Sequence, residues 1–262
     1  MRVEQLGTGE PDVAVVGGIH GDEPCGPHAI ERLLADPPAV QRPVKLVVAN
    51  ETAIDRGVRY VDDDLNRVFP GDPDAASHER RLAAALAAEI GDCQTLALHS
   101  TQSYERLFAL VDQVGAFERR ICPRLSVDAV VETHERNEGR IFTSVSQAIE
   151  VECGYQGSET AAANAVAVTR QFLAATGVFG EDERPDTDEV PVFSLGKPIP
   201  KERADAYEVF AKNFEEVATG EAFAAADGES IVAEESFHPV LLSPEGYQDI
   251  FGYTATLVGS LP

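Results

Sequence analysis

The run Gly17-Gly18-Ile19-His20-Gly21-Asp22-Glu23 follows directly on four apolar residues, Val13-Ala14-Val15-Val16. A neutral imidazole nitrogen and a carboxylate oxygen are both ordinary zinc donors. At the end of a strand, before a helix, His20 and Glu23 can aim into the crevice where open α/β sheets bind ligands. A second apolar stretch, Leu96-Ala97-Leu98, ends in His99. If the two strands lie parallel, their ends meet. His20, Glu23 and His99 then make a set of two histidines and one carboxylate, with a fourth position left for water, which is the arrangement of a catalytic rather than a structural zinc. Cobalt or manganese would suit the same donors. Each piece alone is ordinary, because His-x-x-Glu arises often by chance and a strand-end histidine commonly bonds backbone.

A third stretch, Ala148-Ile149-Glu150-Val151-Glu152-Cys153-Gly154-Tyr155-Gln156-Gly157, carries two acids two residues apart. Strand alternation puts Glu150 and Glu152 on one face. Glu152 lies nearer the glycine turn and is the better placed to take a proton from water; Glu150 is read as structural. A carboxylate base beside metal-bound water is an economical way to hydrolyse an amide near neutral pH. A fourth stretch, Arg59-Tyr60-Val61-Asp62-Asp63-Asp64-Leu65-Asn66-Arg67, offers two arginines and an asparagine, and arginine grips carboxylate through paired donors. The competing reading is a solvated loop with Arg59 paired to Asp62 or Asp63.

These residues need elements to place them. Periodicity predicts strands at 12–16, 44–49, 95–98, 107–111, 128–131 and 148–151. It predicts helices over 26–34, from a Ser77 cap through 88, and from a Ser158 cap to near Gly177. Strands alternating with helices mean an α/β sheet with helices on both faces. Gly180-Glu181-Asp182-Glu183-Arg184-Pro185-Asp186 is a charged linker candidate. Beyond it come short β-like runs at 190–193, 207–210, 230–233 and 254–258. The expected division is an α/β domain over 1–180 and a small β-rich C-terminal module over 187–262.

The 262 residues carry 45 acids against 21 bases, a formal charge of −24. Lys45, Lys197, Lys201 and Lys212 are the only lysines. Scattered acids with few lysines fit a surface adapted to high salt, where self-repulsion is screened. Such a surface opposes nucleic acid, which needs basic patches to replace counterions, and anionic membranes as well. No apolar run approaches the roughly 18 residues of a membrane span, and the N-terminus lacks a signal-peptide pattern, so a cytoplasmic protein is expected. Cys25, Cys93, Cys122 and Cys153 form no C-x-x-C pair and read as reduced, buried thiols. Assembly into a homo-oligomer is left open.

Taken in order, His20-Gly21-Asp22-Glu23, Arg59 with Asp64-Leu65-Asn66-Arg67, His99, and Glu152-Cys153-Gly154-Tyr155-Gln156-Gly157 resemble the succinylglutamate desuccinylase/aspartoacylase family, a branch of the zinc carboxypeptidase-like hydrolases. The resemblance covers about residues 12–157, and the β-rich segment beyond also suits it. It implies a zinc-carboxypeptidase-like mixed sheet and one zinc ion held by His20, Glu23 and His99. It implies Glu152 as general base, Arg59 polarising the scissile carbonyl, and Asn66 and Arg67 binding the substrate's free carboxylate. A tyrosine from the C-terminal module reaches the pocket in that family; Tyr247 is the first choice here and Tyr253 the second. The implied activity is removal of an acetyl- or succinyl-type group from a small anionic N-acyl amino acid. The chain departs from the family's common Glu-Val-Gly-Pro-Gln at Glu152-Cys153-Gly154-Tyr155-Gln156, so the base is kept while the turn after it is expected to be shaped differently. A second arginine for the acyl side is not placed, although Arg140 is available. His28, His78, His134 and His238 are read as non-catalytic, with His134 nearest to Arg140. A carboxypeptidase acting on peptide C-termini would use the same groups, and a non-catalytic metal-binding regulator would be expected to lack one of them.

Overall fold

The computed structural model describes residues 1–134, 139–180 and 189–262. The expected linker at 180–186 and the segment between His134 and Gly139 therefore lie largely outside the described residues. In the first two thirds the strands are β1 (Arg2–Leu6), β2 (Val13–Gly17), β3 (Val44–Val48), β4 (Gln94–Thr101), β5 (Phe108–Val111), β6 (Val130–Glu132) and β7 (Ala148–Tyr155). The helices are α1 (Cys25–Ala35), α2 (Glu51–Arg56), α3 (His78–Ile90), α4 (Ala116–Ile121) and α5 (Glu159–Ala175). The C-terminal part adds β8 (Val190–Pro200), β9 (Tyr207–Val209), β10 (Ala222–Ala226), β11 (Glu229–Val232), β12 (His238–Val240) and β13 (Ile250–Leu261).

Ten strands form one mixed sheet in the order β1-β3-β2-β4-β7-β5-β6-β8-β13-β12, and β11-β10-β9 form a second, small one. β3, β2, β4 and β7 run parallel. That brings the ends of β2, β4 and β7 side by side, as the site requires. Their apolar runs are buried on both faces, as expected of strands covered by helices on each side. On one face α1 and α5 pack through Ala29, Ile30, Leu33, Ala165, Val168 and Phe172; on the other α3 packs through Leu82, Ala83, Leu86 and Ile90. Ser77 and Ser158 cap α3 and α5 as expected, accepting from the backbone N–H groups of Arg80 and Ala161.

β5 differs from its neighbours, pairing antiparallel with β7 and parallel with β6. No helix intervenes between β4 and β5, so the chain turns back without the crossover that parallel strands require. β8 and β13 are longer than the runs expected at 190–193 and 254–258. β8 extends the main sheet beside β6 and then pairs with β13 over its whole length. β6 reaches only to Ser194 of β8, so Pro198 and Pro200 lie where one edge lacks that neighbour and a missing N–H is tolerated. No described helix is long and apolar enough to cross a membrane.

Candidate metal and catalytic site

β2 ends at Gly17 and the chain turns sharply to deliver His20 and Glu23. Gly17 faces Gly26 of α1 so closely that a Cβ on either would overlap the other's backbone, and a Cβ on Gly21 would overlap Ala53 and Ile54. Strand, helix and the following loop are thereby pressed together without intervening side chains. His99 stands at the corresponding end of β4, and its register partner on β7 is Glu152. The alternation read from the sequence holds, since Glu150 and Glu152 both line one cavity with the two histidines.

His20, Glu23 and His99 are all buried, and one ligand atom from each lies within 4.8 Å of the others. Nδ1 of His20 is 2.8 Å from Glu23 Oε1, and Nδ1 of His99 is 3.0 Å from Glu23 Oε2. The backbone N–H of Ser100 also donates to Glu23 Oε2 at 3.1 Å. The other ring nitrogen of His20 meets Asp64 Oδ1 at 3.1 Å, which is the carboxylate support that metal-ligating histidines usually have. Nε2 of His99 has no hydrogen-bond partner among the described residues; Glu150 Oε1 lies 3.9 Å away. Two imidazoles and a carboxylate, buried together with this second layer, fit a zinc-type divalent cation.

The electrostatics follow from this packing. Burial alone would lower the His20 pKa, but the carboxylates of Glu23 and Asp64 outweigh it and lift it to about 9. Burial opposes the charge on Glu23 as well, yet His20 and His99 hold its pKa well below the ordinary carboxylate range. Glu152 has no such partner. Desolvation, with Glu23 nearby, raises it to about 7, and its Oε2 is buried with no hydrogen-bond partner among the described residues. A carboxyl poised near neutrality with one oxygen uncommitted suits proton transfer.

Arg59 pairs with neither Asp62 nor Asp63. Its Nε and Nη2 both donate to Asp64 Oδ2 at 3.2 Å, and Nη1 donates to Glu23 Oε1 at 3.1 Å. Asn66 is buried, donating to Glu150 Oε1 at 2.6 Å and accepting from the Ile141 N–H at 3.1 Å. Glu150 also accepts from Arg140 Nη1 at 3.0 Å, so it ties two loops beneath the cavity. Arg67 is exposed, lines the cavity, and donates to the Asn66 carbonyl at 2.7 Å. Tyr247 and Tyr253 both line the cavity, ring centroids 6.1 Å apart; burial pushes the Tyr247 phenol up to about 12. The cavity is about 510 Å³. His28, His78, His134 and His238 are not among its lining residues. His78 bonds Asn50, His134 faces Glu132, and His238 lies against Phe193.

Sequence reasoning gave Asp64 no role, although it stands inside the quoted motif, three residues before Arg67. Its place between His20 and Arg59 could have been suspected from the usual need of a ligand histidine for a carboxylate. Gln156, whose Nε2 donates to the Asp22 carbonyl at 2.8 Å, was likewise quoted without a function. It joins the turn after β7 to the loop after β2.

Residues 9–176 match the succinylglutamate desuccinylase/aspartoacylase catalytic domain. The chain belongs to this family. Among its relatives is the N-acyl-aromatic-L-amino acid amidohydrolase of Rattus norvegicus, 37% identical over 106 residues, 34% of this chain and 33% of that protein. Another is the succinylglutamate desuccinylase of Burkholderia lata, 35% identical over 95 residues, 32% of this chain and 27% of the relative. The matched stretches thus span about a third of these relatives' own length. The fold extends further. The crystal structure of murine aminoacylase 3 superposes with a TM-score of 0.73 at 21% identity, covering 97% of this chain and 99% of that one. A succinylglutamate desuccinylase/aspartoacylase from Rhodobacter sphaeroides gives 0.78 at 18% identity, covering 98% and 89%.

Proposed function

We propose that the chain is a zinc-dependent amidohydrolase that removes an acyl group from a small N-acylated amino acid. The observation that carries this reading is Glu152, a half-buried carboxylate whose Oε2 is buried and unpartnered among the described residues and whose pKa is raised to about 7, beside the His20–Glu23–His99 group in one cavity. His20, Glu23 and His99 would hold the ion, which when bound supplies Lewis-acid polarisation and acidifies water. Glu152 takes a proton from the attacking water and returns it to the departing amine. Arg59, with donors beyond the three it gives to Glu23 and Asp64, steadies the oxygen of the scissile carbonyl; one such donor is worth about 3 kcal/mol of barrier. Arg67 takes the substrate carboxylate, since it has no ion pair among the described residues and opens to the cavity. Asn66 supports that grip from below, with its own amide already committed to Glu150 and Ile141. Tyr247 closes the opposite side. The names of the relatives, which specify N-acyl-aromatic amino acids and succinylglutamate, set the range of substrates. We further propose a cytoplasmic setting, adaptation of the acidic surface to high salt, and a boundary near residues 180–187 between the α/β unit and the β-rich module.

The test is hydrolysis of N-acetylaspartate, N-succinylglutamate, N-acetylated neutral and aromatic amino acids and a dipeptide, in low and high KCl, with and without chelator. Chelator-sensitive cleavage of an acylated amino acid, restored by zinc, establishes the reading. Cleavage of the dipeptide alone moves the chain to the carboxypeptidases, and an active protein indifferent to chelator overturns the metal's role.

A further inference from the structure

Glu79 lies in the first turn of α3, where an acid ordinarily sits in solvent and gains about 0.3–1 kcal/mol from the helix dipole. Here it is fully buried, at 0% exposure, and its oxygens turn away from the helix. Oε1 accepts from the backbone N–H of Val61 at 2.7 Å and from Asn50 Nδ2 at 3.0 Å. Oε2 accepts from the N–H groups of Asp62 at 2.9 Å and Asp63 at 3.1 Å. Three successive backbone donors converging on one carboxylate form an anion-binding nest. The loop answers in kind, since Asp62 Oδ2 accepts from the His78 N–H and Asp63 Oδ2 from Arg80 Nε. Burial works against the charge on Glu79, but the N–H groups of Val61 and Asp62 and the Asn50 amide outweigh it and keep its pKa below the usual value.

The three clamped residues lie between Arg59 and Asp64. Arg59 reaches Glu23, Asp64 reaches His20, and the Arg59 carbonyl accepts from the Gly21 N–H at 3.0 Å. We propose that Glu79, which touches none of the reacting groups, is a positioning residue: its carboxylate fixes residues 61–63 and so sets Arg59 and Asp64 against Glu23 and His20. A helix-capping role would need only one bond to the start of α3, whereas all four bonds here leave the helix. Asp62 and Asp63 bring like charge close to the buried carboxylate, which the backbone N–H donors to Glu79 and the Arg80–Asp63 pair offset.

The inference rests on the metal-dependent reading above and is tested first without activity. Zinc affinity is measured by competition with a chromogenic chelator for the parent, Glu79→Gln, Glu79→Asp and a control, Phe172→Leu, whose site is in the core across the sheet from α3. Glu79→Gln is nearly isosteric but presents an NH2 group to donors. Loss of such outer support typically lowers metal affinity 10–100-fold, and that is the expected result, together with a kcat at saturating zinc lower by about tenfold or more. Phe172→Leu should lose thermal stability without either change. An affinity within twofold of the parent in Glu79→Gln overturns the proposal, as does an equal loss in Phe172→Leu. Should Glu79→Gln not fold, Glu79→Asp, which keeps the charge one methylene short of the nest, is judged by the same two criteria. A parent that binds no zinc and hydrolyses nothing sinks the functional reading and this inference together; a parent that does both, with unchanged Glu79 variants, sinks this inference alone.

Discussion

Glu150→Gln tests how the base of the cavity is held. The Glu150 carboxylate is 1% exposed, and Arg140, which donates to it at 3.0 Å, is 6% exposed. Asn66 donates to its second oxygen at 2.6 Å. Glutamine keeps the shape, but its NH2 group must face one of these two donors, and the Arg140 guanidinium loses its counter-charge. Breaking a buried pair from one side costs about 3–5 kcal/mol, because it leaves an uncompensated charge. An unfolding entropy of about 2 cal/mol/K per residue gives roughly 0.5 kcal/mol/K for a chain of this length, so the melting temperature should fall by about 5–9 °C. Calorimetric melts at fixed zinc concentration read this directly. The second arm is Arg140→Met with Glu150→Met, which removes both charges. Apolar replacement of a buried pair is often neutral, so the double variant should recover all but about 1–2 kcal/mol, the remainder being the stranded Asn66 N–H. A Glu150→Gln melt within 2 °C of the parent (about 1 kcal/mol) would refute the reasoning. So would a double variant as unstable as the two single losses added together.

Glu152→Ala should abolish turnover while zinc binding, followed by the chelator competition, stays near the parent's; retained turnover would remove the base. Arg67→Ala should raise KM for substrates bearing a free carboxylate far more than for the corresponding amides, and equal effects on both would take it out of that grip. Chelation should extinguish hydrolysis and lower the melting temperature, with zinc restoring both, since a ligand bound only by the native state stabilises it by mass action. Gly21→Ala forces a methyl into the backbone of Ala53 and Ile54; we expect a loss of about 3 kcal/mol or more, read by denaturant unfolding, and an unchanged midpoint would show that the turn can yield.

What could be read from the sequence divides along physical lines. His20, His99 and Glu152 were legible because each closes an apolar run long enough to be recognised as a buried strand, and a polar residue there is costly unless it has a purpose. α1 was legible from its period, and α3 and α5 from period and their serine caps. α2 and α4, at six residues each, are too short to show a period. The antiparallel setting of β5 is fixed by which strand it meets, β7, and that partner comes about 40 residues later in the chain. Glu79 was invisible for a different reason. Its partners are backbone N–H groups, which every residue has, so no side-chain type near position 61 announces them. Glu150 and Arg140 were each noticed, but their union depends on two loops meeting beneath the cavity.

β2, β3 and β4 are neighbours in the sheet and all precede residue 102, whereas β7, which brings Glu152, is made later. Synthesis runs from the N-terminus, so His20, Glu23 and His99 leave the ribosome before the base does. About 50 residues separate His99 from Glu152, and at ~5–20 residues per second the interval is about 3–10 s. During it the nascent chain holds all three candidate donors, His20 and Glu23 just after β2 and His99 on β4, but not yet Glu152. On the proposed reading, the order of segments would let a cation be taken up before the base is made, and the base would arrive with the strand that closes the centre of the sheet.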